Sequence, residues 1–212
     1  MTSNYQKVKG IILRLNQEEL LKNKIIIVGG TVPYLVSKKE SQREHSDIDV
    51  IVQQEHMPFI REYLQKEELS VLDSLNLSYN KLRVDYGINA VIEGITVNFA
   101  PYELSENTMI QRNFLTKQSS GLDALATVIM RNVDVNNIFI TTSINETMIH
   151  TYSLEMVKIM KEKSKKKKDA TDIKVIDDFG YNETVYSLLK EQLKDMKFCI
   201  KPKNKLLSLF LR

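Results

Sequence analysis

Residues 25–52, IIIVGGTVPYLVSKKESQREHSDIDVIV, constrain the fold more than any other stretch. Ile25, Ile26, Ile27 and Val28 form a short apolar run, β-branched throughout, as a fully buried strand requires. Gly29 and Gly30 end it. Two glycines there suit a tight turn whose backbone N–H groups approach a ligand such as a phosphate. Thr31 is placed to cap a short helix through Val36, with Pro33 in its first turn, where the missing N–H costs nothing. A polar loop, residues 38–46, leads into DIDVIV. Side chains of a strand alternate between faces, so Asp47 and Asp49 point one way and Ile48, Val50 and Val52 the other. Paired carboxylates facing a Gly-rich turn can hold Mg²⁺ on the phosphates of a nucleotide. The plainer reading, two exposed acids at a strand edge, leaves their mutual repulsion unrelieved.

This order of strand, Gly-Gly, short helix and Asp-x-Asp strand resembles the nucleotidyltransferase superfamily, the fold of DNA polymerase β and the antibiotic nucleotidyltransferases. The matching residues are Val28-Gly29-Gly30-Thr31 and His45-Ser46-Asp47-Ile48-Asp49-Val50. Arg43-x-His45 is similar to the small-molecule, antibiotic branch of the family. The resemblance implies Mg²⁺, with two ions possible, held by Asp47 and Asp49. It implies a nucleoside triphosphate whose phosphates lie against Gly29, Gly30 and Thr31. Arg43 would reach those phosphates or remain a solvated loop arginine. His45 would orient a substrate or an aspartate, or serve the fold.

The family carries a third carboxylate on a later strand, after a Gly-containing turn and often before a proline. Here that stretch is Gly94-Ile95-Thr96-Val97-Asn98-Phe99-Ala100-Pro101, and Asn98 stands at the acidic position. An amide oxygen still coordinates a cation, but it is neutral and a poor proton acceptor. Glu93, Glu103 and Asp85 are the nearby acids available to substitute.

The remaining segments supply scaffold. Residues 5–22 and 57–66 have helical apolar spacing, and residues 71–77, 83–92 and 95–100 read as strands, the last two joined at Glu93-Gly94. Residues 122–130 fit a helix as well as a strand, and residues 138–142 read as a strand. Residues 146–167 read as one long helix with Ile149, Tyr152, Met156, Ile159 and Met160 on one stripe. Lys168-Asp169 and Asp172-Ile173 open another helix, with Asp169 as its cap and Asp172 available to pair with the helix before, and residues 183–198 suggest a third. Lys-Asp-x-x-Asp-Ile after a lysine-bearing helix also resembles the family, which implies that Lys158 or Lys161 contacts the triphosphate. The run from Lys165 to Lys168 reads as a solvated turn. An apolar tail with Leu206, Leu207, Leu209, Phe210 and Leu211 suits docking on the body or on a second subunit.

Composition narrows the function classes. The chain has 212 residues and a net charge of +3, so global charge gives no argument for nucleic acid. Its one cysteine, Cys199, excludes a disulfide framework and a Cys-based zinc site within the chain, and reads as a small buried residue. No apolar run reaches the ~18 residues of a membrane span, so a cytoplasmic location without membrane contact is expected.

Together these readings predict an α/β (α+β) fold, a nucleotidyltransferase-like mixed sheet flanked by helices over residues 1–143, followed by a C-terminal helical region over residues 144–212. The implied activity moves a nucleoside monophosphate from an NTP such as ATP to a hydroxyl of a small molecule, a tRNA end or a protein, with release of pyrophosphate. Asn98 keeps two other readings open: a silent nucleotide-binding or regulatory module on the same fold, and a toxin–antitoxin component. A homodimer is compatible with the apolar tail.

Overall fold

The computed structural model describes residues 3–41, 43–79, 82–115 and 124–202. Helix α1 (Asn4–Gln17) starts where the Ser3 hydroxyl accepts the Gln6 N–H, and buries Tyr5, Val8, Ile11, Ile12 and Leu15 along one stripe. Strand β1 (Ile25–Val28) follows, then the Gly-Gly turn, α2 (Val32–Ser37), β2 (Asp47–Gln53) and α3 (Met57–Lys66). Four strands come next: β3 (Ser70–Tyr79), β4 (Leu82–Ile92), β5 (Ile95–Ser105) and β6 (Thr108–Leu115). Strand β7 (Ala124–Met130), the single turn α4 (Val135–Ile138), β8 (Phe139–Ile144) and β9 (Thr147–Tyr152) complete the middle of the chain. Helices α5 (Leu154–Ser164), α6 (Asp169–Phe179) and α7 (Glu183–Gln192) pack together before β10 (Lys197–Pro202) returns to the sheet.

One mixed sheet holds these strands in the order β10-β7-β6-β5-β2-β1-β9-β8, with β4 beside β5 and β3 outside β4. The pairs β2–β5 and β1–β9 are parallel, and the others are antiparallel. Strand β5 is the hub. One edge lies along β2, while the other pairs with β4 near Phe99 and with β6 after Tyr102. The hairpin between β4 and β5 turns on Glu93 and Gly94, both at positive φ, the backbone that a two-residue hairpin with right-handed strand twist requires. Apolar residues from the sheet and from α1, α3 and α5 share one core, which includes Ile27, Ile48, Val50, Val97, Phe99 and Ile159. That core fixes the ends of β1, β2 and β5 relative to one another.

Three expectations change, and one open reading is decided. Residues 146–167 are not one helix: Asn145 and Glu146 take positive φ in a hairpin turn, and β9 follows as the parallel partner of β1. Ile149 and Tyr152 are buried from that strand, so their helical spacing is accidental. The helix begins only at Ser153, whose hydroxyl accepts the Met156 N–H. The third helix stops at Gln192 rather than at Phe198, because residues 197–202 pair with β7. Cys199 is exposed on that strand instead of buried. Residues 124–130, open between helix and strand on sequence, are strand. The apolar tail residues 206–211 lie outside the described residues. No helix among the described residues is long and apolar enough to cross a membrane.

Candidate active site

The sheet register builds the site. Val28, the last residue of β1, stands opposite Asp49 on β2, and Asp49 stands beside Asn98 on β5. The Gly-Gly turn, the Asp-x-Asp strand and Asn98 therefore meet at one corner, although Asp49 and Asn98 are far apart in sequence. They line a cleft of about 360 Å³. Helix α5 and the turn after it form its opposite wall, through Val157, Met160, Lys161, Lys166 and Lys168.

The glycines are there for lack of a side chain. A Cβ on Gly29, which has φ +75°, would collide with the Asp49 carboxylate, and one on Gly30 would collide with the Arg43 guanidinium. Asp47 is exposed and Asp49 partly buried, facing the cleft together. Burial, and then the neighbouring Asp47 charge, push the Asp49 carboxyl up to about 6, against the opposing pull of Lys168, Lys161 and Lys166. Asn98 donates its Nδ2 to Asn113 Oδ1 at 3.3 Å. Its own Oδ1 is buried with no hydrogen-bond partner among the described residues. An orphaned acceptor beside two carboxylates is what a hard, oxygen-seeking cation satisfies. The described residues contain no cluster of three His, Cys, Asp or Glu side chains suited to a metal. The fitting donor set is Asp47, Asp49 and the Asn98 amide oxygen.

A comparison with solved structures finds the same architecture in antibiotic-modifying proteins. The lincosamide antibiotic adenylyltransferase LnuA, in its lincomycin-bound crystal structure, superposes with a TM-score of 0.55 at 18% identity, covering 82% of this chain and 98% of that one. The solution structure of the antibiotic-resistance factor ANT(2'')-Ia gives 0.56 at 14% identity, over 98% and 96% of the two chains. The crystal structure of ANT(2'')-Ia with adenylyl-2''-tobramycin gives 0.54 at 15% identity, over 88% and 97%. The chain has the nucleotidyltransferase fold. In sequence, no protein-family model and no curated protein matches it.

Within this nucleotidyltransferase fold the residues expected to meet phosphates differ in how free they are. Arg43 lines the cleft but is held away from the carboxylate pair. Its Nε and Nη2 donate to the two oxygens of Asp172 at 2.9 and 3.0 Å, Nη2 also donates to the Gly30 carbonyl, and Nη1 to the Glu44 carbonyl. Burial alone would lower its pKa, but the Asp172 hydrogen bonds and charge hold it above the usual arginine value. Arg43 is thus a clamp from α6 onto the Gly-Gly turn. Lys161 also lines the cleft, but it is paired with Asp169 at 3.0 Å and Asp172 at 2.6 Å. Asp169 faces the cleft already engaged. Burial opposes its ionisation, yet the Ser164 hydroxyl, Lys161 and the Lys166 N–H hold its carboxyl below the usual range. It does not cap α6, where the N-cap residue is Lys168.

Lys158 lies outside the cleft lining. It pairs with Asp177 at 2.6 Å and sits over the Tyr181 ring. Thr31 is buried, makes no capping bond and does not line the cleft. The substitutes for a third acid are elsewhere too. Glu93 pairs with Arg14, Glu103 with Arg112 and Asp85 with Arg61, and none lines the cleft. Of the lysines and arginines that line the cleft, Lys166 and Lys168, in the turn read from sequence as solvated, are the two without an ion pair among the described residues. Gln111, Asn113 and Tyr152 also line the cleft without having been anticipated. Their only sequence signal is strand alternation, which becomes informative once β6 is in register with β5.

His45 borders the cleft but serves the fold. Its ring lies between Tyr5 and Tyr34, with Nε2 2.8 Å from Ser41 Oγ, and its backbone exchanges two hydrogen bonds with the Asn4 side chain. Burial, and then Arg43, lower its pKa to about 4. In the unfolded chain it returns to about 6.5. The His45 contribution is therefore fully present above pH 6.5 and is lost as the pH falls towards 4. The loss at pH 4.5 is roughly 2–3 kcal/mol. Denaturant titrations of wild type and His45→Gln should show a smaller loss of stability between pH 7 and 4.5 in the variant. Parallel pH dependences would contradict the buried, neutral imidazole.

Proposed function

We propose that the protein is a Mg²⁺-dependent nucleotidyltransferase that moves a nucleoside monophosphate from an NTP to a hydroxyl of a small molecule. The observation that carries this reading is the corner where Gly29, Gly30, Asp47, Asp49 and Asn98 meet in one cleft, within a fold shared with antibiotic adenylyltransferases. The small-molecule choice rests on those neighbours, one bound to lincomycin and one to an adenylylated tobramycin.

Each residue has a definite task in this reading. Asp47, Asp49 and the Asn98 oxygen would hold the cation, which would supply the charge that draws the phosphates in and neutralises them. Gly29 and Gly30 let the phosphate chain approach the backbone closely. Lys166 and Lys168, cations without carboxylate partners, stabilise negative charge as pyrophosphate leaves, the main electrostatic demand of phosphoryl transfer. Arg43 and Lys161 hold the turn and the helix wall in position. The acceptor oxygen bonds to the α-phosphorus while the bond to the β-phosphate breaks. The hydroxyl proton cannot go to Asn98, which is neutral. Asp47 is exposed, so water reaches that end of the cleft and can carry the proton.

The second reading, a silent nucleotide-binding module, is favoured by Asn98 alone. Transfer from radiolabelled ATP, GTP, CTP and UTP to small hydroxylated acceptors separates the two. Transfer that disappears in Asp47→Ala and rises in Asn98→Asp is the expected result. Transfer that survives Asp47→Ala would sink the assignment of the acid pair, and NTP binding without transfer, unchanged by Asn98→Asp, would establish the silent module.

A further inference from the structure

The wall beside Asn98 is built of neutral groups whose hydrogen-bonding direction is already set. Asn98, Gln111 and Asn113 come from β5 and β6, and Tyr152 from the end of β9. Asn113 Oδ1 accepts from Asn98 Nδ2 at 3.3 Å, and Gln111 Oε1 accepts from the Tyr152 hydroxyl at 3.2 Å. Both amide oxygens are engaged within the wall. Among the described residues, Gln111 Nε2 and Asn113 Nδ2 donate to nothing, so with the unpaired Asn98 Oδ1 assigned to the cation the groups left for a ligand are N–H donors. The carboxylates of this cleft are otherwise committed. Asp49, beside Asn98, and Asp47 are assigned to the cation in the reading above, and Asp169 is taken by Lys161 and Ser164. Glu103, next on β5, is paired with Arg112 and does not line the cleft.

An ammonium group has three donors and no acceptor. Against this wall it would meet donors, with no free carboxylate to replace its hydration, and leaving a charge partly buried without a partner is strongly unfavourable. A hydroxyl, ether or carbonyl oxygen offers the lone pairs that the two amides lack. Val157, Met160 and Ala100 add apolar surface on which the carbon skeleton of a ring can rest. We infer that the acceptor is an uncharged, polyhydroxylated ring compound, a neutral glycoside or nucleoside in chemical class, and not a polycationic amino sugar. The inference rests on the transferase reading above and specifies its substrate.

The test supplies the full-length protein with Mg²⁺, labelled NTP and two acceptor sets: neutral glycosides and nucleosides, and the polycationic aminoglycoside tobramycin with its relatives. NTP binding is measured separately by equilibrium dialysis with Mg²⁺. Label is expected on neutral acceptors, at a kcat/KM at least about tenfold above that of any cationic one. Gln111→Glu and Asn113→Asp replace a donor with a charged acceptor, and each should shift that ratio at least about tenfold towards the cationic set. Preference of the wild type for tobramycin, or a ratio unmoved in both variants, overturns the inference. So does label on neither set while NTP still binds. Failure to bind NTP at all overturns the function beneath it.

Discussion

Asp49→Asn is expected to make the protein more stable while removing its transfer activity. The folded protein holds the Asp49 carboxyl at about 6, above its ordinary value of 3.8. The sign follows from that raised value. Below pH 3.8 the group is protonated in both states and costs nothing. As the pH rises from 3.8 through 6, the unfolded chain ionises first, so the fold loses stability and stays lower above pH 6. At pH 7 the cost is up to about 3 kcal/mol, which Asn would recover. For a chain of this length that corresponds to a rise of ~6–12 °C in melting temperature. The same substitution removes one of the two carboxylates proposed to hold the cation, and a loss of several kcal/mol of transition-state stabilisation is on the order of a thousandfold in rate. Thermal melts with and without Mg²⁺ and NTP give a readout independent of catalysis. Wild type should gain stability from the cation and nucleotide together, because a ligand that binds only the folded state stabilises it. Asp49→Asn should start higher and gain little. A variant that melts below wild type without ligand, or gains as much with it, would show that Asp49 is neither strained by its surroundings nor the cation's ligand.

Asp172→Asn is expected to be the most damaging single change outside the acid pair. Asp172 is fully buried, with Arg43 on both oxygens, Lys161 at 2.6 Å and the Tyr34 hydroxyl at 3.1 Å. Removing its charge leaves the Arg43 guanidinium without a carboxylate partner in a site where water is scarce. Breaking a buried pair in this way typically costs ~3–5 kcal/mol, roughly 10 °C or more in melting temperature here. The functional effect follows from the geometry, because Arg43 also holds the Gly30 carbonyl. Once that clamp loosens, the Gly-Gly turn no longer presents a fixed surface to the phosphates, and KM for NTP should rise more than kcat falls. The Lys158–Asp177 pair is the natural control: its aspartate side chain is 47% exposed, and the buried Lys158 keeps Glu162 at 3.7 Å. Asp177→Asn should shift stability by no more than ~1 kcal/mol and leave KM unchanged. Equal losses in the two variants would mean that Asp172 acts as an ordinary surface charge.

These two residues also show how the sequence and the structure divide the explanation. Asp49 is legible because its evidence is local. A β-branched strand, two glycines and an alternating Asp-x-Asp strand are short-range patterns, and their physics is set by neighbours within a few residues. Asn98 is legible for a related reason, since a recognisable hairpin turn at Glu93-Gly94 fixes the parity of the strand that follows. Long-range pairing then set it beside Asp49.

The misplaced residues depended on partners that no local pattern names. Ile149 and Tyr152 fit a helical stripe, but the open position beside β1 drew residues 147–152 into the sheet as a strand. Arg43 lies near the acid pair in sequence, and only the fold shows that Asp172, 129 residues away, takes its guanidinium. Lys158 and Lys161 lie one turn apart on α5. Only the packing of α6 and α7 decides that the first points towards Asp177 and Tyr181 and the second into the cleft. The lysine run is an exposed turn, as read, and only the fold shows that this turn also brings Lys166 and Lys168 into the cleft lining. By itself, then, the sequence determined the Gly-Gly turn and the Asp-x-Asp strand that form the corner, because strand alternation and glycine geometry are local. Tertiary structure decided which charges remain free to act there, because pairing and desolvation depend on which distant groups the fold brings within about 3 Å.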